Sequence, residues 1–142
     1  MKTILVAVDL SDVTIKVVKV AVHLAKPFQS KIILMHASEH APQLSVIGSD
    51  APPPGFVDET NINEELSRLQ EMISSVGLES TKLELQGSPV ESILGQVENY
   101  RIDLIVLGSH TRGIFHYLFT GSVVDGILQR AKCPVLIVPS QE

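Results

Sequence analysis

Residues 102–123, IDLIVLGSHTRGIFHYLFTGSV, combine the residue types and spacing needed to hold an anion. An apolar run, Leu104 to Leu107, stops at Gly108, and a polar segment with His110, Thr111, Arg112 and Gly113 follows. Gly121 and Ser122 then open a helical pattern in which Val123, Val124, Ile127 and Leu128 fall on one face. The order is strand, glycine-punctuated loop, helix. The start of such a helix leaves backbone N–H groups without intrahelical partners. Those groups and the helix dipole favour a negative charge, most often phosphate. The plain alternative is a strand-to-helix loop whose glycines serve only to turn the chain. A second chemical group stands far away in sequence: Asp9, where the apolar run TILVAV of residues 3–8 ends.

These groups need elements to position them. A near-continuous apolar run such as residues 3–8 marks a strand buried on both faces, as in parallel sheets. Ser11 or Asp12 suits the N-cap of a following helix. That helix is expected to run to about Lys26, with Val17, Val18, Ala21, Leu24 and Ala25 toward the core and Pro27 ending it. KIILMHA, residues 31–37, is the second strand. From Ser38 to Thr60 periodicity is lost, and the stretch holds four of the eight prolines, so it reads as a long loop, functional or mobile. A second helix is expected from about Asn61 to Val76 through Leu66, Leu69, Met72, Ile73 and Val76, with Gly77 as its stop. TKLELQ, residues 81–86, alternates polar and apolar residues, the pattern of a half-exposed edge strand. Ser88, Pro89 and Glu91 form a strong helix start, with Val90, Ile93, Leu94 and Val97 behind them as the buried face. Residues 103–107 and 134–139 supply the fourth and fifth strands.

Five strands alternating with four helices predict one α/β domain over residues 1–142. Its sheet is open, five-stranded and mostly parallel, with helices on both faces in a Rossmann-like arrangement. The alternation fits the order 3-2-1-4-5 or 2-1-3-4-5, and the first of these puts the third strand at an edge. In the first order, adopted here, strands one and four are neighbours and the winding reverses between them. Ligands of such sheets bind at that reversal, outside the carboxyl ends of the strands. Asp9 and Gly108 then meet at one crevice.

Composition narrows the partners. The formal net charge is −5 and aromatic residues make up 4%, which argues against nucleic acid as the main partner. No apolar run approaches the ~18 residues of a membrane span. Nothing at the N-terminus looks like a signal peptide, so the expected location is cytoplasmic. The single cysteine, Cys133, precedes an apolar strand and is expected to be a buried, inert thiol. His36, within a core strand, reads as a structural histidine. His110 and His116 have no cysteine or carboxylate at metal-site spacing. There is no G-x-S-x-G nucleophile elbow and no phosphate-binding G-x-x-x-x-G-K-[S/T] loop. A response-regulator receiver would need two acidic residues after strand one and a lysine after strand five, where this chain has Val8-Asp9 and Pro139-Ser140.

With these residues in view, the chain resembles the universal stress protein family. Nucleotide-binding members of that family carry G-x2-G-x9-G-[S/T] after the fourth strand, and Gly108 and Gly121-Ser122 stand at that spacing. VAVDLS around Asp9, ILMHA in strand two, the GSPVESIL turn and the KCPVLIVP ending also match. The resemblance covers the whole chain except residues 38–60. It departs at the second motif glycine, which is Thr111 here. A β-branched residue is strained wherever φ must be positive, and Gly113, two residues on, could supply the freedom instead.

The resemblance implies a non-enzymatic stress-response module that binds ATP or AMP, with Mg²⁺ accompanying ATP through phosphate oxygens and water rather than protein ligands. Asp9 would then face the ribose or, through water, the metal. Ala7 would line the adenine side and the backbone at Ala37 would hydrogen-bond adenine. Gly108 would allow close approach to the ribose. The N–H groups around Thr111, Arg112 and Gly113, and those of Gly121, Ser122 and Val123, would hold phosphates, with the Ser122 hydroxyl and the Arg112 charge assisting. The family also implies a homodimer paired through the fifth strand, or a tetramer, and a regulatory protein partner. The competing reading is a motif-degenerate stress protein that binds no nucleotide and works through protein partners. Slow ATP hydrolysis ranks third, because no obvious general base flanks the loop.

Overall fold

The strand TILVAV becomes β1, Thr3–Val8, and it is bonded on both sides: to β2 (Lys31–Ser38) and to β4 (Leu104–Ser109). A computed structural model describes residues 1–11, 13–38, 59–109 and 121–139. Among them β3 (Ser80–Gln86) and β5 (Val135–Pro139) complete a five-stranded, all-parallel sheet in the order β3-β2-β1-β4-β5. The winding reverses between β1 and β4, as expected. The segment read as a long loop lies outside the described residues, apart from its first residue, Ser38, and its last two, Glu59 and Thr60. So do Asp12, His110, Thr111, Arg112, Gly113 and His116.

Two helices cover each face. On one, α1 (Thr14–Ala25) and α2 (Glu59–Ser74) bury Val17, Val18, Ala21, Leu66, Leu69 and Ile73 against Ile4, Val6, Ile32 and Leu34. On the other, α3 (Pro89–Tyr100) and α4 (Gly121–Arg130) bury Ile93 and Ile127 against Leu5, Ile33, Met35, Ile105 and Leu107. The alternation of each strand between the two clusters is the direct result of side chains pointing to opposite faces of a pleated sheet.

Helix termini follow local chemistry, with three departures from expectation. The helix α3 starts as predicted: the Ser88 hydroxyl accepts the Glu91 amide at 3.4 Å, with Pro89 in the first turn. The helix α2 begins at Glu59 and ends at Ser74. There Leu78 N–H bonds to Ile73 C=O and Gly77 N–H to Ser74 C=O, with Gly77 at φ +83°. This is a Schellman closure, which glycine permits without a Cβ clash. Val76 therefore falls beyond the helix and is exposed rather than in the core. On α4 Leu128 is likewise exposed, while Val124 and Ile127 turn inward. The third departure is at α1. Its cap position is Val13 rather than Ser11, and Val13 makes no side-chain cap bond, while the Ser11 hydroxyl donates to Asp9.

Away from the carboxyl rim, the exposed Asp103 ties two strand starts together. Its Oδ2 accepts the Lys2 and Thr3 amides at 2.7 and 3.0 Å. Those two backbone bonds, Thr3's first, hold its carboxyl below the usual aspartate range. A depressed folded value means the contribution is complete above the unfolded pKa and is lost as pH falls through the folded one. Asp103→Asn is therefore expected to lower the melting temperature slightly at neutral pH, the effect being screened by solvent. The gap to wild type should begin to close below about pH 4, where the unfolded carboxyl protonates, and vanish once the pH is below the folded value. Thermal melts across pH 2–8 check this, and a gap independent of pH contradicts it.

Candidate functional site

At the carboxyl rim the register aligns the ends of three strands. Val8 pairs with His36 and Ala7 with Leu107. One step further along, Asp9 is level with Ala37 on one side and with Ser109, just past Gly108, on the other. Sequence-distant residues 7–9, 36–38 and 107–109 thus form one ledge at the winding reversal. Gly121, Ser122 and Val123 begin α4, whose N-terminus follows from the carboxyl end of β4. Nothing is described of the side chains of Gly121 and Ser122.

The two faces of the ledge differ. Ala7 and Ala37, each 1% exposed, belong with Leu107, Ile127 and Val123 to the α3–α4 side. Two alanines on adjacent strands leave the shallowest part of that face beside Asp9. His36 alternates with Met35 and Ala37 to the α1–α2 side and is buried there, the structural placement its position predicted. Gly108 faces α1 too. A Cβ on it would meet Val13 Cγ1 and Val17 Cγ2, each at 3.0 Å. Its lack of a side chain is accounted for by helix-on-strand packing, a reason the sequence did not suggest.

Asp9 is 8% exposed. Its Oδ1 accepts the Ser11 amide at 3.0 Å and the Ser11 hydroxyl at 2.5 Å. Between them Leu10 has φ 61°, the left-handed region that non-glycine residues enter at a cost. Its side chain packs against the α1–α2 core, which offsets that strain. Sequence reasoning treated Ser11 only as a helix cap. The readable signal was the Asp-x-Ser spacing, in which an aspartate bonds backbone two residues on.

Elsewhere on the α3–α4 side, Glu91 and Arg130 form a two-pronged ion pair at 2.5 and 3.2 Å that bridges α3 and α4. The Arg130 hydrogen bond and charge hold the Glu91 carboxyl low, and Glu91 in turn raises Arg130. Burial, and then the Asp103 charge, push the Cys133 thiol up, which favours its protonated form; it is half-buried rather than buried as expected. No group of three or more histidine, cysteine or acidic residues is placed to hold a metal among the described residues. Nor is any of their helices long and apolar enough to cross a membrane.

A family model described as the universal stress protein family matches residues 1–139. The chain belongs to the universal stress protein family. The universal stress protein YxiE of Bacillus subtilis is 32% identical, over 94% of this chain and 96% of its own. Among solved structures, the universal stress protein UspA from Lactobacillus plantarum aligns with a TM-score of 0.75 at 23% identity, covering 96% of this chain and 97% of its own. A universal stress protein in complex with cAMP aligns at 0.70 and 23%, covering 99% and 98%. The protein from Archaeoglobus fulgidus in complex with dAMP aligns at 0.67 and 23%, covering 96% and 97%. These likenesses are to the fold, and the order of the sheet agrees with the expectation drawn from the alternation of elements and the edge position of the third strand.

Within this universal stress protein, the packing of Gly108 makes a direct prediction. Gly108→Ala should destabilise the fold by about 1–3 kcal/mol through overpacking. The cost should fall when Val17→Ala opens space opposite, giving a coupling in the double-mutant cycle measured by urea unfolding. Additive costs would refute the contact.

Proposed function

We propose that this universal stress protein binds an adenine nucleotide, ATP or AMP, on the ledge formed by Asp9, Ala37 and Gly108, and acts as a nucleotide-responsive module in the stress response. The observation that carries the reading is the alignment of those three strand ends, with α4 beginning at Gly121 after β4. A buried carboxylate can accept ribose hydroxyls, the alanine-lined face beside it suits a flat base, and the first amides of α4 suit phosphate. The cAMP and dAMP complexes of two structural relatives support the ligand class. Ala7 and Ala37 serve the base, and the Ala37 backbone supplies its hydrogen bonds. Gly121, Ser122 and Val123 serve the phosphates, together with Thr111, Arg112 and Gly113. Mg²⁺ would accompany ATP through phosphate oxygens, and no step of chemistry is assigned to the site.

Calorimetric titration with AMP, ADP and ATP tests this. Wild type should bind. Gly121→Val should abolish binding with an unchanged melting temperature, since its side chain takes the space phosphate needs. Absence of heat and of thermal shift for all three nucleotides at millimolar concentration would falsify the nucleotide reading in favour of a partner-binding protein.

We also infer a homodimer through β5. The two sheet edges are unlike. β3 alternates Lys82, Glu84 and Gln86 outward, and Lys82 Nζ bonds Asn63 Oδ1 and Ser67 Oγ on α2 at 2.8 and 2.7 Å. β5 offers Val135, Leu136, Ile137 and Val138, and Leu136 continues into an apolar depression with Ile15, Val20 and Leu24 of α1. Natural sheets guard bare edges in the first way and pair the second kind. Ile105 N–H bonds Pro134 C=O at 3.0 Å, so by the alternation of a parallel ladder the Val135 and Ile137 amides point away from β4. Ile137→Pro thus deletes an outward donor while sparing the ladder. It should convert the dimer to a folded monomer in sedimentation. A dimer of unchanged affinity rules out this edge.

A further inference from the structure

The outer side of α1 carries a charge pattern that works against the helix itself. In a chain of net charge −5, no acidic residue stands between Asp12 and Glu39. Lys16, Lys19 and His23 follow one another on α1 at spacings of three and four residues, so that basic side chains are stacked on one face. Like charges at such spacings repel. Lys16 also stands in a first turn that holds no acidic residue, where the helix dipole disfavours a cation. These three side chains, with the apolar Ile15, Val20, Leu24 and Leu136, line one depression of about 680 Å³ between α1 and β5. Val20, Leu24 and Leu136 pack onto the core beneath it, while Ile15 is 47% exposed and Lys19 and His23 lie open to solvent. Lys16 Nζ donates to Pro139 C=O at 2.9 Å, which ties the start of α1 to the end of β5. From Ile15 to Leu24 the depression follows α1 for about 14 Å, roughly two and a half turns. That is the reach of the apolar face of a short helix, whose anchors recur at i, i+3 or i+4, and i+7.

Charge selects the occupant. A second copy of α1 would bring the same lysines against these. The most acidic of the described helices, α2, turns Ile62, Leu66, Leu69 and Ile73 into its own core and has no apolar face left to offer. A flat bilayer surface would touch Ile15 and leave the depression unfilled. We propose that the depression between α1 and β5 is the docking site for an acidic amphipathic helix of a partner protein. Its apolar anchors lie on Val20, Leu24 and Leu136, and its carboxylates face Lys16, Lys19 and His23. The repulsion along α1 is relieved only in that complex. The site is separate from the nucleotide ledge and does not rest on the nucleotide reading.

The probe is a dye-labelled, helix-stapled peptide of about four turns, with leucine at i, i+4, i+7 and i+11 and glutamate along one flank. Two companions carry glutamine or lysine in place of glutamate. Fluorescence anisotropy on the full chain should show the glutamate peptide binding about tenfold more tightly than the glutamine one, with the difference shrinking as salt rises. Lys19→Glu should weaken the glutamate peptide about tenfold and turn the preference toward the lysine peptide. Ile15→Asp, an exposed position, should weaken the glutamate peptide at an unchanged melting temperature. Equal binding of the glutamate and glutamine peptides, or a glutamate peptide indifferent to Lys19→Glu, overturns the proposal. Binding to phosphatidylglycerol vesicles but not to the peptide assigns the face to a membrane and overturns it too. Loss of self-association in sedimentation on Lys19→Glu assigns the face to a second copy, with the same consequence. If Lys19→Glu does not fold, His23→Glu is measured against the three peptides and decides in the same way.

Discussion

The handedness of the crossovers is the constraint on which the rest depends. A right-twisted parallel strand leads through its helix to the next strand with one hand only. Moving from β1 to β2 to β3 therefore puts α1 and α2 on one face. The chain must then pass back over β2 and β1 to reach β4 and β5, and the same hand puts α3 and α4 on the opposite face. At the β1–β4 boundary the connections leave toward opposite faces, and the rim between them stays open. No residue at the rim creates this opening. Asp9, Gly108 and the start of α4 occupy a space that topology has already made.

That constraint also divides labour between the sheet's two ends. At the amino ends, Asp103 takes the Lys2 and Thr3 amides, a local clamp between β4 and β1. At the carboxyl ends, polar groups are shared over short range, as between Asp9 and Ser11. The edges differ for a related reason. β3 lies beside the long α2, whose Asn63 and Ser67 reach its lysine. β5 has only the flank of α1 on one face, so Ile15 and Leu136 remain partly bare.

Much of this was legible in the sequence because it is periodic. Apolar runs at 3–8 and 104–107 could only be two-sided strands, and the alternation in TKLELQ marked an edge. The Ser88-Pro89-Glu91 start was read correctly because its chemistry is local. What escaped notice depends on three-dimensional neighbours. Val76 and Leu128 keep helical spacing but miss the core, one because the Gly77 closure ends α2 early, the other because α4 turns Val124 and Ile127 inward. Ser11 has the composition of a cap, but the cap position falls on Val13 and the serine instead bonds Asp9. The aligned ends of β1, β2 and β4 were inferable from strand order. The pairing of Gly108 with Val13 and Val17 was not, since it requires the orientation of a helix across a strand.

Gly108 shows why a motif glycine is weaker testimony than its spacing suggests. Its missing Cβ points toward α1, whereas Ala7 and Ala37, the small residues beside Asp9, point to the α3–α4 side. A chain that had lost its ligand would still need glycine at 108 to seat Val13 and Val17. The residues that discriminate binding from mere folding are therefore those whose smallness or orientation serves no packing purpose. Ala7 and Ala37 qualify only in part, because both are inside the second core. The turn from Asp9 to Ser11 qualifies more fully, since Leu10 keeps a left-handed backbone there. Evidence for a ligand in this fold accumulates where local stability is forgone, and on this ledge that place is the turn from Asp9 to Ser11.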